Sequence, residues 1–131
     1  MPIVLVYEMT DYKHMATHFL ELVIANKIDE AYEKYVNMNG KHHNVYTPTG
    51  FDNLKKGMKE NEARMPNKKF TIKNVICEGE MVAVYSHLKF KPDELGLSVV
   101  HIFRFKHNKI IEMWDCAQQI PKDSPNKDGA F

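Results

Sequence analysis

Two periodicities divide the chain. Up to about Arg64 apolar residues recur at helical spacing, and from Lys69 onward they alternate with polar ones at the period of two that a half-buried strand requires. In the first part, Met15, Phe19, Leu22 and Val23 share a helical face behind a cap at Thr10 or Asp11. Asn26 offers a left-handed stop just after Ala25. A second, short helix near Asp29 presents Ile28, Ala31, Tyr32 and Tyr35. Gly40–Thr47 (GKHHNVYT) carries neither pattern and reads as an irregular or edge-strand segment ended by Pro48 and Gly50. Phe51, Leu54 and Met58 mark a third helix, Phe51–Arg64, closed by Pro66.

The alternating part predicts four strands, Phe70–Glu78, Met81–Phe90, Val99–Lys106 and Lys109–Gln118. Gly79-Glu80 makes the first turn, and Lys91–Leu97, with Pro92 and Gly96, makes a longer one. Helices first and a meander afterwards predict an α+β fold: three N-terminal helices packed on a curved, mainly antiparallel sheet of four to six strands that encloses a pocket. Residues 1–9 read as an arm and 121–131 as a loose polar tail, which leaves a single domain over 1–131.

The last hairpin decides what the pocket holds. A two-residue turn at His107-Asn108 would set His101 opposite Trp114 and Glu112 opposite Phe103. A three-residue loop with Asn108 left-handed would instead pair His101 with Asp115, Phe103 with Met113, Phe105 with Ile111 and Arg104 with Glu112. Only the second register separates an apolar face from a polar one and makes an ion pair across the strands. It leaves His101 and Asp115 side by side on a greasy surface. The reverse face, Val100, Ile102, Ile110, Trp114 and Cys116, is then too apolar to remain wet, which predicts an isologous homodimer through the outer sheet.

Composition narrows the function by exclusion. Lys and Arg number 18 against 17 Asp and Glu, a balance that favours neither nucleic acid nor an anionic membrane as partner. The apolar start MPIVLVYEM is too short for a signal sequence or a membrane span, so a cytoplasmic protein is expected. Cys77 and Cys116 lie in strand-like runs and are expected as buried, reduced thiols. Lys55-Lys56 and Lys68-Lys69 read as solvated faces, and His14, His18, His42 and His107 as surface residues. No phosphate loop, nucleophile elbow or dinucleotide fingerprint is present, and no cofactor is expected. His43, His87, His101 and Asp115 could in principle hold zinc, but no HxH, HExxH or CxxC spacing preorganises them, and no metal is expected.

The words IFRF (Ile102–Phe105), KIIEMWD (Lys109–Asp115), YSH (Tyr85–His87) and YVNMNGKHHN (Tyr35–Asn44) carry a resemblance running from about Ala16 to Pro121. Chain and element order resemble the SnoaL-like branch of the nuclear-transport-factor-2-like superfamily, and within it bacterial proteins predicted to catalyse aldol condensations. The resemblance implies a cone-shaped fold with a deep pocket between sheet and helices. It also implies an acid/base Asp with a neighbouring His, to which Asp115 and His101 correspond by spacing. The chain departs from the family's pattern where it reads His43-Asn44-Val45 in place of HNP, and at His101 and Met113, where relatives carry Asp and His.

These readings converge on one candidate site. Asp115 and His101 are the catalytic candidates: a carboxylate among apolar side chains is a stronger base than one in water, and a neighbouring imidazole can pass or accept the proton. His87 placed opposite His101 and Tyr85 opposite Phe103 would add an imidazole and a phenol to the pocket wall. His43 and Asn44 would close its mouth, with Phe103 and Met113 as apolar lining. The expected activity is a cofactor-free lyase or isomerase acting on a small, partly apolar carbonyl compound by enolisation, aldol chemistry or dehydration. A non-catalytic small-molecule binder on the same scaffold is the alternative.

Overall fold

A computed structural model describes residues 11–131, and the arm at residues 1–9 lies outside the described residues. Helix α1 spans Tyr12–Ile24, and Asp11 caps it by accepting the His14 N–H at 3.0 Å. Its other end closes as the sequence predicts. Asn26 is left-handed (φ 61°), and the Lys27 N–H reaches back to the Leu22 carbonyl at 2.8 Å. Helix α2 (Ile28–Tyr35) runs directly into strand β1 (Val36–His42), and α3 (Phe51–Arg64) follows. Strands β2 (Lys69–Glu78), β3 (Met81–Lys89), β4 (Leu97–Lys106) and β5 (Lys109–Gln119) complete the domain. Among the described residues no helix is long and apolar enough to cross a membrane.

The fold is thus α+β, with three helices and an open five-stranded mixed sheet ordered β1-β5-β4-β3-β2. The expected block of three N-terminal helices needs correction, because α3 comes after the first strand. Strand β1 was hard to see in the sequence. Val36–His42 has no alternation, since it is an edge strand that pairs parallel with β5 and breaks register between Val36 and Lys41. One face of the sheet receives the helices. Phe19, Tyr32, Phe51, Phe103 and Phe105 are fully buried there, and the Phe19 ring meets Tyr32 and Phe103 edge-on at 5.5 and 5.8 Å. Each such side chain withdrawn from water contributes on the order of 1.5–3 kcal/mol.

The last hairpin reaches the predicted pairing by a different route. His107 and Asn108 are both left-handed (φ 51° and 65°) in a two-residue turn that pairs Lys106 with Lys109 and Phe105 with Ile110. A bulge then inserts Ile111, so Arg104 faces Glu112, Phe103 faces Met113 and His101 faces Asp115. Without that extra residue the Glu112 carboxylate would enter the apolar face, at a desolvation cost no partner there offsets. The bulge also turns Ile110 inward. It is fully buried in the core, not on the outer face where the sequence reading had it. Strand β1 closes over the same spot: a Cβ on Gly40 would lie 2.3 Å from the Ile111 carbonyl oxygen and 2.9 Å from the Phe51 ring.

A second register differs from expectation and moves two candidates. Val84, not His87, lies opposite His101, and His87 pairs with Ser98. The slip is three residues, an odd number, so every side chain of β3 changes face. Gly96 allows it. With φ 84° it brings its backbone against the Leu88 carbonyl, and the strands start together at Leu88 and Leu97. Val82, Val84 and Ser86 therefore face the helices, while Tyr85 and His87 face outward.

The tail, expected to be loose, is docked on that outer face. Tyr85 Oη donates to the Ala130 carbonyl at 2.5 Å, and the Phe131 ring packs 5.3 Å from Tyr85 and 4.7 Å from His87. Cys77 and Cys116 are exposed free thiols, not buried ones: Cys116, opposite Val100, is on the outer face of the sheet, and Cys77 stands at the end of β2, its Sγ against the Gly79 carbonyl at 3.6 Å.

Two glycines make opposite stability predictions. Gly40→Ala should destabilise by about 1–3 kcal/mol through overpacking against the Ile111 carbonyl. Gly57→Ala, with open space around its Cβ inside α3, should stabilise by about 0.5–1 kcal/mol. Urea unfolding of the two variants beside the wild type checks both signs.

Candidate active site

His101 and Asp115 meet as a cross-strand pair on the helix-facing side of β4 and β5. The group that holds the carboxylate is Asn44. Its Nδ2 donates to Asp115 Oδ1 and Oδ2 at 3.1 and 2.9 Å. The orientation of that amide is not free: Asn44 Oδ1 already accepts from the Tyr46 N–H at 3.0 Å and the Thr47 hydroxyl at 2.9 Å. Behind it, His42 Nδ1 accepts the Asn44 N–H at 3.1 Å, which puts the ring proton on Nε2, where it donates to the Pro48 carbonyl at 2.9 Å. The loop after β1 is thus a chain of hydrogen bonds ending on Asp115.

An open cavity of about 230 Å³ lies between sheet and helices, with Asp115, His101 and Asn44 on its wall beside Leu20, Phe70 and Val99. A larger surface groove of about 720 Å³, between the β3–β4 connection and Pro121, is not lined by any of these three groups. His101 keeps part of its surface on the cavity while its Nδ1 is buried with no partner among the described residues. Its ring lies between Phe70, edge-on at 6.2 Å, and Phe103, parallel at 6.1 Å. Burial pushes its pKa down, against a smaller opposite pull from Asp115, so the imidazole is neutral near neutral pH. Deeper in, burial and then the charge of Asp115 push the Tyr32 phenol up, and its hydroxyl donates to Met58 Sδ at 3.2 Å.

Of the other candidates, Phe103 and Met113 are buried beneath the pair, in the core. His43, Tyr85 and His87 are not on the cavity wall. His43 lies on the outer face, where its Nε2 donates to Glu112 at 2.7 Å and its ring stacks on Trp114 at 5.0 Å. That hydrogen bond above all, with Lys41 and Arg104, holds the Glu112 carboxyl below its ordinary value. His87 contacts the Leu95 carbonyl at 2.6 Å. The conceivable zinc set is therefore split between two faces of the sheet, and no cluster of metal-ligating side chains occurs among the described residues.

Sequence reasoning missed four groups: His42, Tyr32, Asn61 and Lys68. Lys68 was read as solvated, yet its Nζ lies 2.5 Å from Glu62 Oε1, with both side chains less than a tenth exposed, and it lines the cavity beside Asn61. One signal was available. Glu62 continues the Leu54–Met58 stripe of α3 at helical spacing, and a carboxylate on an apolar stripe needs a cation.

An α+β domain with three helices and an open five-stranded mixed sheet has known counterparts. The model of the SnoaL-like polyketide cyclase family matches residues 13–122, and the chain belongs to that family. A SnoaL-like protein of unknown function from Burkholderia thailandensis superposes with a TM-score of 0.68 at 11% identity, covering 84% of this chain and 98% of its own. IdmH from Streptomyces antibioticus, a polyketide cyclase candidate, gives 0.65 at 13% identity, covering 80% and 90%. A polyketide cyclase candidate from Bacillus cereus gives 0.68 at 21% identity, covering 80% and 72%. At these identities the structures speak for the fold alone. No curated protein matches the sequence.

The buried imidazole makes a pH prediction. Its folded pKa is below the ordinary 6.5, so the unfolded chain binds a proton first as pH falls. Stability from this group is complete above pH 6.5 and declines below it, until the folded pKa is reached. Chemical denaturation between pH 8 and 5 should show that decline for the wild type and a flatter profile for His101→Phe.

Proposed function

We propose that the protein is a cofactor-free enzyme of the cyclase or isomerase type that moves a proton on a small carbonyl compound. The observation carrying this reading is the Asp115 carboxylate, held by the Asn44 amide against an apolar cavity beside a neutral imidazole. Asp115 takes a proton from the carbon next to the carbonyl and returns it to another position, or to a leaving hydroxyl. Asn44 fixes the carboxylate so that no reorientation is needed as the proton moves. His101, neutral, can hydrogen-bond the substrate without adding a positive charge beside the base. The cavity volume of about 230 Å³ falls below the roughly 300–1,000 Å³ common for ligand pockets, which favours a compound of about one ring's size. The polyketide cyclase candidates share the scaffold, and the cyclase class comes from that family membership.

Asp115→Asn keeps the shape and removes the base. Against a panel of small β-keto and β-hydroxy carbonyl compounds it should lose about 10²–10⁴-fold in turnover while binding unchanged. Binding with no turnover in either protein would make the chain a small-molecule binder instead.

The same reading includes a homodimer through the outer sheet face. Val100, Ile102 and Trp114 are only half-buried there, although Ile110 no longer contributes. Ile102→Lys should convert a dimer into a monomer by sedimentation analysis, and a monomeric wild type would refute the assembly.

A further inference from the structure

The Lys68–Glu62 pair has no place in the proton transfer so far described. Two charged side chains withdrawn from water are costly unless each is satisfied. Glu62 is 3% exposed and lies behind Lys68. The Lys68 side chain is 9% exposed, and Lys68 lines the cavity that holds Asp115. An ammonium carries three donors. Glu62 engages one side of it at 2.5 Å, and among the described residues Lys68 has no other partner. Asn61, next to Glu62 on α3, is arranged alike: its Oδ1 accepts from Arg64 Nη2 at 2.8 Å, which leaves the amide donors for the cavity. The helix-side wall therefore offers donors, and the sheet-side wall offers the acceptor Asp115. Curvature of the sheet closes the gap between them, since Phe70 of β2, two residues after Lys68, contacts His101 of β4.

The charge count says what these donors are for. With a neutral His101, the charged groups lining the cavity, Asp115 and Lys68, balance, and Glu62 behind Lys68 adds one negative charge to the pair. An anionic ligand is thereby disfavoured, and a neutral carbonyl compound is the class that fits. When Asp115 takes the proton, the C–H bond breaks and its electron pair moves through the carbon–carbon bond onto the carbonyl oxygen. Asp115 becomes neutral and the substrate becomes an enolate. Total charge is conserved, but it moves from the sheet wall to the helix wall.

Resting on the proton-transfer reading, we infer that Lys68 is a further catalytic residue: its ammonium, backed by Glu62, receives the enolate oxygen of a neutral carbonyl substrate. Such a donor binds the ground-state carbonyl weakly and the enolate strongly, so it lowers the barrier without trapping the substrate. Glu62 is a positioning residue that acts through Lys68.

The test uses nitrophenols, whose phenolate is visible by absorbance and mimics an enolate. In an Asp115→Asn background, which removes the competing charge, a bound nitrophenol should ionise at a pH about one unit or more lower than in solution, a tenfold shift in equilibrium. Adding Lys68→Met with Glu62→Gln, which keeps the buried site neutral and foldable, should abolish that shift. An unchanged shift in the triple variant, or the absence of any nitrophenol binding at millimolar concentration, overturns the assignment. Neither result depends on turnover. The proton-transfer reading stands or falls separately, on the loss of activity in Asp115→Asn alone.

Discussion

The inserted residue at Ile111 determines what the last strand presents to each side of the sheet. A two-residue turn with both central residues left-handed is the tightest way to reverse a twisted hairpin, and His107-Asn108 provides it. Continued without interruption, that turn would put Trp114 and Glu112 among the helices and Asp115 on the outer surface. One extra residue reverses the parity. The same irregularity exposes the Ile111 carbonyl to the close approach of Gly40, so the first strand is aligned by the bulge as well. Strand β1 in turn carries the loop that ends on Asp115. Pairing, edge-strand placement and the support of the carboxylate thus trace back to one backbone feature, as expected where bulges redirect side chains next to functional sites.

The two faces of the sheet then follow different electrostatic rules. Outside, Glu112 gathers His43, Arg104 and Lys41 in partly solvated contacts that individually contribute little to stability. Inside, charges are few: the Asn44 amide holds Asp115 by two hydrogen bonds, and Lys68 lies against Glu62 as an ion pair. Among the described residues three buried polar atoms have no hydrogen-bond partner: His101 Nδ1, the Ser86 hydroxyl and Glu62 Oε1, which meets Lys68 by charge alone. Unsatisfied buried polar atoms are rare in folded proteins and tend to mark places where stability has been given up for another purpose.

Much of this was legible in the chain. The apolar stripe through Met15, Phe19, Leu22 and Val23, the stop at Asn26 and the facing of His101 and Asp115 all follow from local rules about periodicity, left-handed residues and face segregation. What was not legible depends on long-range geometry. The face of Tyr85 and His87 hangs on an odd or even count across the β3–β4 connection, which no pattern within either strand records. His43 and Asn44, the first two residues after β1, go to opposite faces because the chain is still extended beside β5, the His43 N–H bonding the Met113 carbonyl at 2.8 Å, and without β1 recognised as a strand both looked like mouth residues. The burial of Lys68 requires knowing that the turn after Pro66 folds back under the last turn of α3. The docking of Phe131 requires the outer surface of a sheet formed by residues far earlier in the chain.

Trp114 is the only tryptophan in the sequence. The bulge sends its indole to the outer face, stacked on His43 and with the Arg104 guanidinium over the ring at 5.9 Å. Its fluorescence therefore reports on the surface opposite the cavity. Occupation of the cavity by a small molecule leaves the emission nearly silent, whereas anything that covers the outer sheet changes the polarity around the ring and moves the spectrum. The protein carries a built-in optical probe of its outer sheet face that needs no label.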